Sequence, residues 1–246
     1  MRVIYVKPSR LGLILFGLCL VLGVVIGSRQ IMPTVPTAAL DPVAQVKTQE
    51  PIMALTVNVD WGEENIPAML NVFQKEGVKA TFFVSGRWAK KNPELLKQIV
   101  AAGHELENHG YSHPHPNNIS LDENKREILR TEQVIEQITG RKTTFFAPPY
   151  GENSKNVLRA ARELGYTLTL WTLDTVDWRA DSTTELITRR IVEPQVKSGG
   201  NPDKRGAIVL MHPKPNTVKA LPQMLQMLKN QGFSFVTITQ LIGRKN

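Results

Sequence analysis

Four of the five histidines in this 246-residue chain lie in short polar segments that follow predicted strands, and they have the clearest capacity for chemistry. His109 and His113 are four residues apart, a spacing that directs two imidazoles at one point. Gly110 and Pro114 favour a tight loop there over a regular helix. Neutral imidazoles bind Zn²⁺, Co²⁺ and similar ions, and one carboxylate would complete an open site that activates water. The pair therefore predicts a divalent metal centre.

Polar side chains collect after five of the predicted strands. These segments are residues 58–64, 107–115, 147–152, 171–178 and 210–213. In parallel sheets covered by helices, the chemistry takes place at the carboxyl ends of the strands. We therefore expect the functional residues among these segments.

An alternation of strands and helices is expected to position them. Residues 52–59 and 79–84 are predicted strands, and the apolar runs TTFF, YTLTLW, GAIVLM and FSFVTI are further ones. Asn92 before a proline, and Ser120 three residues before Glu123, are helix-start signals. Strands without clean alternation, separated by helices, predict a parallel α/β sheet. Six or seven such units fit a short (β/α) barrel or a doubly wound sheet.

The order of these segments resembles the polysaccharide deacetylase family, the NodB-homology domain of carbohydrate esterase type. That family carries Thr-Phe-Asp-Asp-Gly, His-x-x-x-His, Arg-Pro-Pro-Tyr-Gly, a motif ending in Asp-Trp, and Leu-x-His. The counterparts here are Thr56 to Gly62, His109 with His113, Pro148-Pro149-Tyr150-Gly151, Asp177-Trp178, and Leu210 with His212. The resemblance covers about residues 52–242. Each motif alone is weak evidence, whereas five in order at strand ends are strong evidence.

The resemblance implies a distorted (β/α) barrel of about seven strands that removes N-acetyl groups from an N-acetylated glycan polymer. It further implies that Asp60, His109 and His113 hold one divalent metal ion. Zn or Co is the ion expected from these donors. Asp60 is at the same time the candidate for the base that activates water, so its role as ligand or as base stays open.

The resemblance also assigns roles to residues from the later motifs. The backbone N–H of Tyr150 is the implied oxyanion donor, and His212 is the implied acid that protonates the leaving amine. Asp177 is expected to orient the His212 imidazole. The residues implied to line the acetyl pocket are Pro149, Trp178 and Leu210.

Two motifs depart from the family pattern. In the first, Asp60 is the only acid where the family has two, and if Asn58 takes the base position, Val59 takes the metal position. An amide cannot accept a proton at neutral pH, and a valine cannot bind metal. Asp60 would reach the metal if the strand end bulges. In the third motif, Ala147 stands where the family has an arginine that partners the base aspartate. The loss of the arginine fits the loss of the base aspartate, because a buried arginine without its acid would be an unpaired charge.

Composition narrows the function classes. The chain is 41% hydrophobic and 21% charged, which is typical of a globular protein. Its net charge of +8 is not gathered into a basic run, so we expect no nucleic acid partner, whereas an anionic wall polymer is compatible. Cys19 is the single cysteine, which excludes an internal disulfide and a thiolate metal cage.

The first 51 residues suggest export. Residues 11–27 are seventeen uncharged, mostly apolar residues that would span roughly 26 Å as a helix, after a basic start. We predict an N-terminal signal anchor over 1–27, a proline-containing linker over 28–51 and the catalytic domain over 52–246. The domain is then expected outside the cytoplasm, held at the cell membrane by the N-terminal helix, or secreted if that segment is cleaved.

Three functions stay open at this point. The first is an active metal-dependent deacetylase that uses Asp60. The second is a glycan-binding module on the same fold without turnover. The third is a hydrolase of another non-peptide C–N bond.

Overall fold

Strands and helices alternate along the chain, as predicted. The computed structural model describes residues 41–195 and 203–243. The strands are β1 (Ile52–Val59), β2 (Thr81–Val84), β3 (Glu105–Asn108), β4 (Phe145–Phe146), β5 (Thr167–Leu168), β6 (Leu173–Asp174), β7 (Ala207–Met211) and β8 (Ser234–Val236). The helices are α1 (Ile66–Lys75), α2 (Gly86–Lys91), α3 (Pro93–Ala101), α4 (Leu121–Thr139), α5 (Lys155–Glu163), α6 (Thr184–Val192), α7 (Pro215–Asn230) and α8 (Ile238–Ile242).

All eight described strands belong to one parallel sheet. Their order is β5-β4-β3-β2-β1-β7-β6, and β8 pairs with β1 beside β2. Parallel pairing requires a crossover between neighbours, and the helices supply it. The prediction of a parallel α/β sheet is therefore confirmed, with eight strands where about seven were expected. Strands β5 and β6 are the two edges of this curled sheet in the described part of the chain.

Side-chain alternation divides the core into two layers. Met53, Leu55 and Val57 of β1 pack into the large cluster between sheet and helices. Ile52 and Ala54 pack into a second cluster on the concave side of the sheet. Successive side chains of a strand point to opposite faces, so every second residue of β1 points into the curl. The residues that leave the strand ends on that concave side are the ones that meet at the functional site.

Helix ends follow the predicted signals. Ser120 caps α4 through a full capping box with Glu123, and Asn92 is the N-cap of α3 with a proline in its first turn. Gly140 ends α4 in the left-handed conformation at φ 69°. A side chain at this position would strain the backbone, whereas glycine adopts it without cost.

The final part of the predicted linker is bound to the sheet. Val43 forms a parallel bridge with Thr169, and Gln45 forms an antiparallel bridge with Ala207. Val46 is buried in the concave cluster. Residues 43–46, called the N-terminal latch below, thus lie between β5 and β7, so the folded unit begins before residue 52, where the domain was predicted to start. Composition alone did not reveal this, because the latch is held by backbone bridges to two distant parts of the chain.

The predicted anchor over 1–27 and residues 28–40 of the linker lie outside the described residues. Among the helices that the structure describes, none has the length and apolar character needed to cross a bilayer.

A substitution at Gly206 tests how much the N-terminal latch contributes to the free energy of unfolding. Its φ is +69°, and a Cβ there would lie 1.9 Å from the carbonyl oxygen of Val46. We expect Gly206→Ala to lower the free energy of unfolding by roughly 3 kcal/mol, because left-handed strain adds to a backbone clash. Gly165→Ala is the matched control, since Gly165 has φ +80° and open space around it. That variant should cost about 1 kcal/mol. Equal losses for the two variants in urea denaturation would show that the latch is dispensable.

Candidate active site

A cavity of about 520 Å³ opens at the carboxyl ends of the strands. Its walls come from the loops after β1, β3, β4, β6 and β7 and from the segment between β5 and β6. The lining residues are Asn58, Asp60, Trp61, His109, His113, Tyr150, Trp171, Asp174, Trp178, Leu210 and His212. Seven of the nine residues with predicted roles are therefore gathered at one place: Asp60, His109, His113, Tyr150, Trp178, Leu210 and His212.

His212 and Asp177 form one side of the site. The Nδ1 atom of His212 lies 2.7 Å from Oδ1 of Asp177, and the backbone N–H of His212 donates to Oδ2 at 2.8 Å. Thr217 at the start of α7 donates its hydroxyl to the same Oδ2 at 2.6 Å. Burial by itself raises the pKa of Asp177, but these hydrogen bonds and the nearby imidazole outweigh it and leave the pKa below its usual value. The carboxylate is thus ionised, and it fixes the imidazole through Nδ1.

An indole covers this imidazole. The rings of Trp61 and His212 are stacked, with centroids 5.5 Å apart and planes 16° from parallel. The ammonium of Lys214 lies over the Trp61 ring, 4.7 Å from its centroid. Aromatic and cation–π contacts of this kind restrict the motion of the groups that they join. His212 is therefore held both from its Nδ1 side and over its ring face.

His109 and His113 form the opposite side of the site. Their ring centroids are 5.0 Å apart. Nδ1 of His109 lies 2.7 Å from the carbonyl oxygen of Ala147, an acceptor, so this nitrogen carries the hydrogen and Nε2 has a free lone pair. Burial lowers the pKa of His109 to about 3 and also lowers that of His113. Both imidazoles are therefore neutral at physiological pH, as metal ligands must be.

The loop that carries these two histidines is held by a carboxylate from α4. Oε2 of Glu127 accepts the backbone N–H groups of Tyr111 and Ser112 at 2.8 and 2.6 Å. His113 itself has φ 56°, in the left-handed region that side chains other than glycine seldom adopt. Tyr150 at φ 59° and Val176 at φ 51° share this feature, in two other loops near the cavity. Such strain persists only where the surroundings determine the conformation, and it is concentrated here around the cavity.

Asp60 is bound by two partners that the motifs did not predict. Arg87 of α2 donates from Nε to Oδ1 at 2.7 Å and pairs through Nη2 with Oδ2. Ser85 donates its hydroxyl to Oδ1 at 2.5 Å. Burial by itself raises the pKa of Asp60, but the Arg87 and Ser85 hydrogen bonds and the charges nearby bring it below its usual value. The carboxylate is ionised, and its negative charge is balanced by Arg87.

The donor set fits a divalent ion only in part. The two neutral imidazoles suit Zn²⁺ or Co²⁺. The third expected donor, Asp60, lines the same cavity but is occupied by Arg87 and Ser85. No group of three metal-binding side chains is assembled among the residues that the structure describes. The expected set of Asp60, His109 and His113 is therefore incomplete in this arrangement.

The side chains of the first motif alternate between the cavity and the core. Asn58 and Asp60 both line the cavity, whereas Val59 is buried in the cluster under the helices. Val59 is thus excluded from the metal position, and Asp60 reaches the cavity without a bulge in β1, which ends at Val59. Ala147 is buried and offers its carbonyl to His109. A guanidinium is nevertheless present at the acid, supplied by Arg87 from α2.

The predicted pocket residues divide into two groups. Leu210 is buried and Trp178 is exposed, and both line the cavity, as does Tyr150 at its rim. The Tyr150 ring lies between His113 and His115, stacked on the latter at a centroid distance of 3.9 Å. Pro149 is buried and is not among the lining residues, so its predicted place in the pocket wall is not observed. The Pro149 ring lies next to Gly110 of the loop that carries His109 and His113 instead.

Several cavity residues received no role from the sequence. Trp61 and Trp171 contribute two indoles, and Asp174 contributes a carboxylate whose pKa is raised by burial. Asp174 accepts the backbone N–H of Val176 at 2.7 Å. Their positions directly after strands were a usable signal. No comparable signal pointed to Arg87, because it lies on a helix outside every motif.

The comparisons with known proteins agree with this arrangement. The family model described as polysaccharide deacetylase matches residues 45–169. The Bacillus subtilis protein named uncharacterized protein YlxY is 34% identical over 87% of this chain and 65% of its own length. A peptidoglycan-N-acetylglucosamine deacetylase of Bacillus cereus is 34% identical over 77% of this chain and 67% of its own. The chain therefore belongs to the polysaccharide deacetylase family, and it spans about two thirds of the length of these relatives.

A solved structure adds a different kind of relative. The wild-type CE4 family pseudoenzyme from Bacillus anthracis matches with a TM-score of 0.76 and 36% identity, over 83% of this chain and 69% of that one. A mutant of that pseudoenzyme, 35% identical to this chain, is described as having restored enzymatic activity. The solved structures similar to this chain thus include that of a pseudoenzyme.

Glu107 beneath the cavity gives a prediction for pH dependence. It accepts the backbone N–H groups of Thr144 and Phe145, both at 2.8 Å, and burial raises its pKa to about 8. A raised pKa in the folded state means that its stabilising contribution is complete below the unfolded value of about 4.5 and is lost as the pH rises through about 8.

We expect the free energy of unfolding of the wild type to fall between pH 5 and 8, and Glu107→Gln to reduce that fall by an amount on the order of 3 kcal/mol. Urea denaturation at several pH values measures the difference. Glu94→Gln, at an exposed carboxyl, is the control. Parallel curves for wild type and Glu107→Gln would contradict the assignment.

Proposed function

We propose that this chain is a hydrolase that removes N-acetyl groups from a cell-wall glycan. The observation that supports it best is the cavity in which the His212–Asp177 pair lies opposite two neutral imidazoles, His109 and His113. Deacetylation of an amide needs a proton donor for the leaving nitrogen and an electrophile for the carbonyl oxygen. The two sides of the cavity match these two requirements.

His212 and Asp177, which form the acid side of the cavity, perform the protonation of the leaving nitrogen. His212, fixed through Nδ1, presents Nε2 to the substrate and donates a proton to the nitrogen as the C–N bond breaks. Asp177 holds the ring through Nδ1 during that transfer. Trp61 limits the orientations of the ring. Leu210 and Trp178 supply apolar surface at the cavity wall, where an acetyl methyl would be accommodated.

The electrophile is proposed to be one divalent ion, with Zn or Co preferred by the donors. His109 and His113 would hold it, and Asp60 in the same cavity would complete the donor set or accept the proton that the attacking water loses. When bound, such an ion polarises the carbonyl and lowers the pKa of a water molecule. The backbone N–H of Tyr150 is the proposed second partner of the carbonyl oxygen.

The substrate class follows from the shape of the rim. Trp61, Tyr150 and Trp178 are exposed aromatic side chains around the cavity, and large amphipathic rings of this kind pack well on sugar rings. Relatives named as peptidoglycan deacetylases favour an N-acetylated wall glycan. We propose a position outside the cytoplasm, tethered by residues 1–27.

One observation favours a second candidate, glycan binding without turnover. Asn58 cannot act as a base, and Asp60 is paired with Arg87 and Ser85. The aromatic rim and the wall of the cavity do not depend on either group. In this case the protein binds the same polymer but leaves its acetyl groups in place, as a pseudoenzyme would.

Acetate release distinguishes the two candidates. We expect the purified protein with Zn²⁺ or Co²⁺ to release acetate from N-acetylchitohexaose or peptidoglycan. His212→Ala and His113→Ala should each reduce the rate by about 10²-fold or more, because they remove the acid and a metal ligand. Glu94→Gln is the surface control. Polymer binding in a pull-down without acetate from either substrate would support the second candidate, and absence of both would contradict both.

A change of Asn58 gives a gain-of-function test of the missing base. Asn58 lines the cavity two residues before Asp60 on the same face of the chain. We expect Asn58→Asp to raise the rate of acetate release by about 10²-fold, the usual contribution of a general base. Asn58→Ala is the matched control and should give no gain. An Asn58→Asp variant that folds, binds the polymer and is no faster than the wild type would show that this position does not act as the base.

A further inference from the structure

A network of side chains joins the loop after β3 to the loop after β4 at the rim of the cavity. Nδ1 of His115 lies 2.8 Å from Oε1 of Glu152, an acceptor, and Oε2 of the same carboxylate accepts the backbone N–H of Asn117 at 2.9 Å. Oδ1 of Asn117 in turn accepts the backbone N–H of Ser154, the N-cap residue of α5, at 2.9 Å. Both oxygens of Glu152 thus bind groups of the other loop, and the two loops are fastened to each other.

The Tyr150 ring rests on this network. The His115 imidazole is stacked on it, with centroids 3.9 Å apart and planes 9° from parallel, and His113 meets the same ring edge-on at 4.9 Å. The His115 side chain is 54% exposed, so burial does not decide its orientation, whereas the hydrogen bond to Glu152 does. The Tyr150 ring is therefore held by an imidazole that is itself fixed through Nδ1.

The backbone beneath the ring is fixed separately. Tyr150 has φ 59° and Gly151 has φ 68°, so the turn has an unusual shape. A Cβ on Gly151 would lie 2.8 Å from the Trp171 ring, which shows that this indole packs directly against the turn. The Tyr150 side chain itself is exposed. Exposed side chains change rotamer rapidly unless a contact holds them, and His115 supplies that contact here.

A ring that is ordered before a ligand arrives costs less to immobilise. When a mobile side chain has to be ordered at a binding surface, the affinity falls by roughly threefold to tenfold. Tyr150 lines the cavity and belongs to its aromatic rim, so the orientation of its ring decides whether a flat surface is available there.

We infer that His115 is a positioning residue of the proposed glycan site, and that it acts through Tyr150 by holding the tyrosine ring in the orientation that receives a sugar. The inference rests on the proposed function for the identity of the ligand. It needs neither a metal ion nor turnover, so it applies to the hydrolase and to the glycan-binding module alike. If His115 served only to join two loops, its effect would not depend on the Tyr150 ring.

Glycan binding by the purified full-length protein tests the inference. We expect His115→Ala to raise the Kd for N-acetylchitohexaose, or for solubilised peptidoglycan strands, by roughly threefold to tenfold in calorimetry. His115→Phe should recover part of the affinity, because a benzene ring can stack on Tyr150, whereas His115→Leu should not. Arg159→Gln, which removes an exposed partner of another ion pair, is the matched control and should leave the Kd unchanged.

A double-mutant cycle separates action through Tyr150 from a general structural role. In the Tyr150→Ala background, the further change His115→Ala should leave the Kd unchanged, since the ring that it holds is gone. Equal effects of His115→Ala with and without the Tyr150 ring would overturn the inference, as would wild-type affinity of folded His115→Ala. Circular dichroism and thermal melting confirm that each variant is folded, and His115→Leu carries the same cycle if His115→Ala is not.

Fluorine NMR of the protein labelled with 3-fluorotyrosine tests the contact without any glycan. The chain has four tyrosines, so the Tyr150 resonance is assigned by its loss in Tyr150→Phe. We expect this resonance to move towards that of free fluorotyrosine in His115→Ala and to stay in place in Arg159→Gln. An unmoved resonance would contradict the inference, and so would failure to bind either polymer. A protein that shows the shift and the coupled affinities yet releases no acetate would retain the inference while the proposed hydrolase function fails.

Discussion

The two-residue period of the parallel strands decides which side chains meet at the cavity. In β1 the odd-numbered residues enter the core under the helices, whereas Ile52 and Ala54 face the concave side. Asn58 and Asp60 continue that series beyond the buried cluster. The same alternation in β7 places Leu210 and His212 on the cavity side. A shift of one residue in either strand would exchange a functional side chain for a buried apolar one.

The two sides of the cavity have different electrostatic designs. On the acid side, the buried carboxylate of Asp177 meets an imidazole and a hydroxyl. On the other side, two neutral imidazoles adjoin a carboxylate that is neutralised by Arg87. The two sides therefore differ in the partner of their carboxylates, which is an imidazole on one side and a guanidinium on the other.

Much of the fold and half of the site could be predicted from the sequence. Apolar runs separated by capped helices indicated a parallel α/β sheet, and residues directly after strands indicated His109, His113 and His212. These features are local, so short windows of sequence contain them. The N-terminal latch could not be predicted, because its bridges join residues more than 120 positions apart in the chain. Arg87 could not be predicted either, because its role depends on a contact with Asp60 that lies outside every sequence motif.

The neutralised carboxylate has a consequence for biogenesis. A cluster of unpaired ligands commonly makes folding depend on metal supply, because the apo form retains an uncompensated buried charge. Here Asp60 already has a counterion within the polypeptide. A newly made chain can therefore reach its native state without waiting for an outside cation to neutralise that carboxylate.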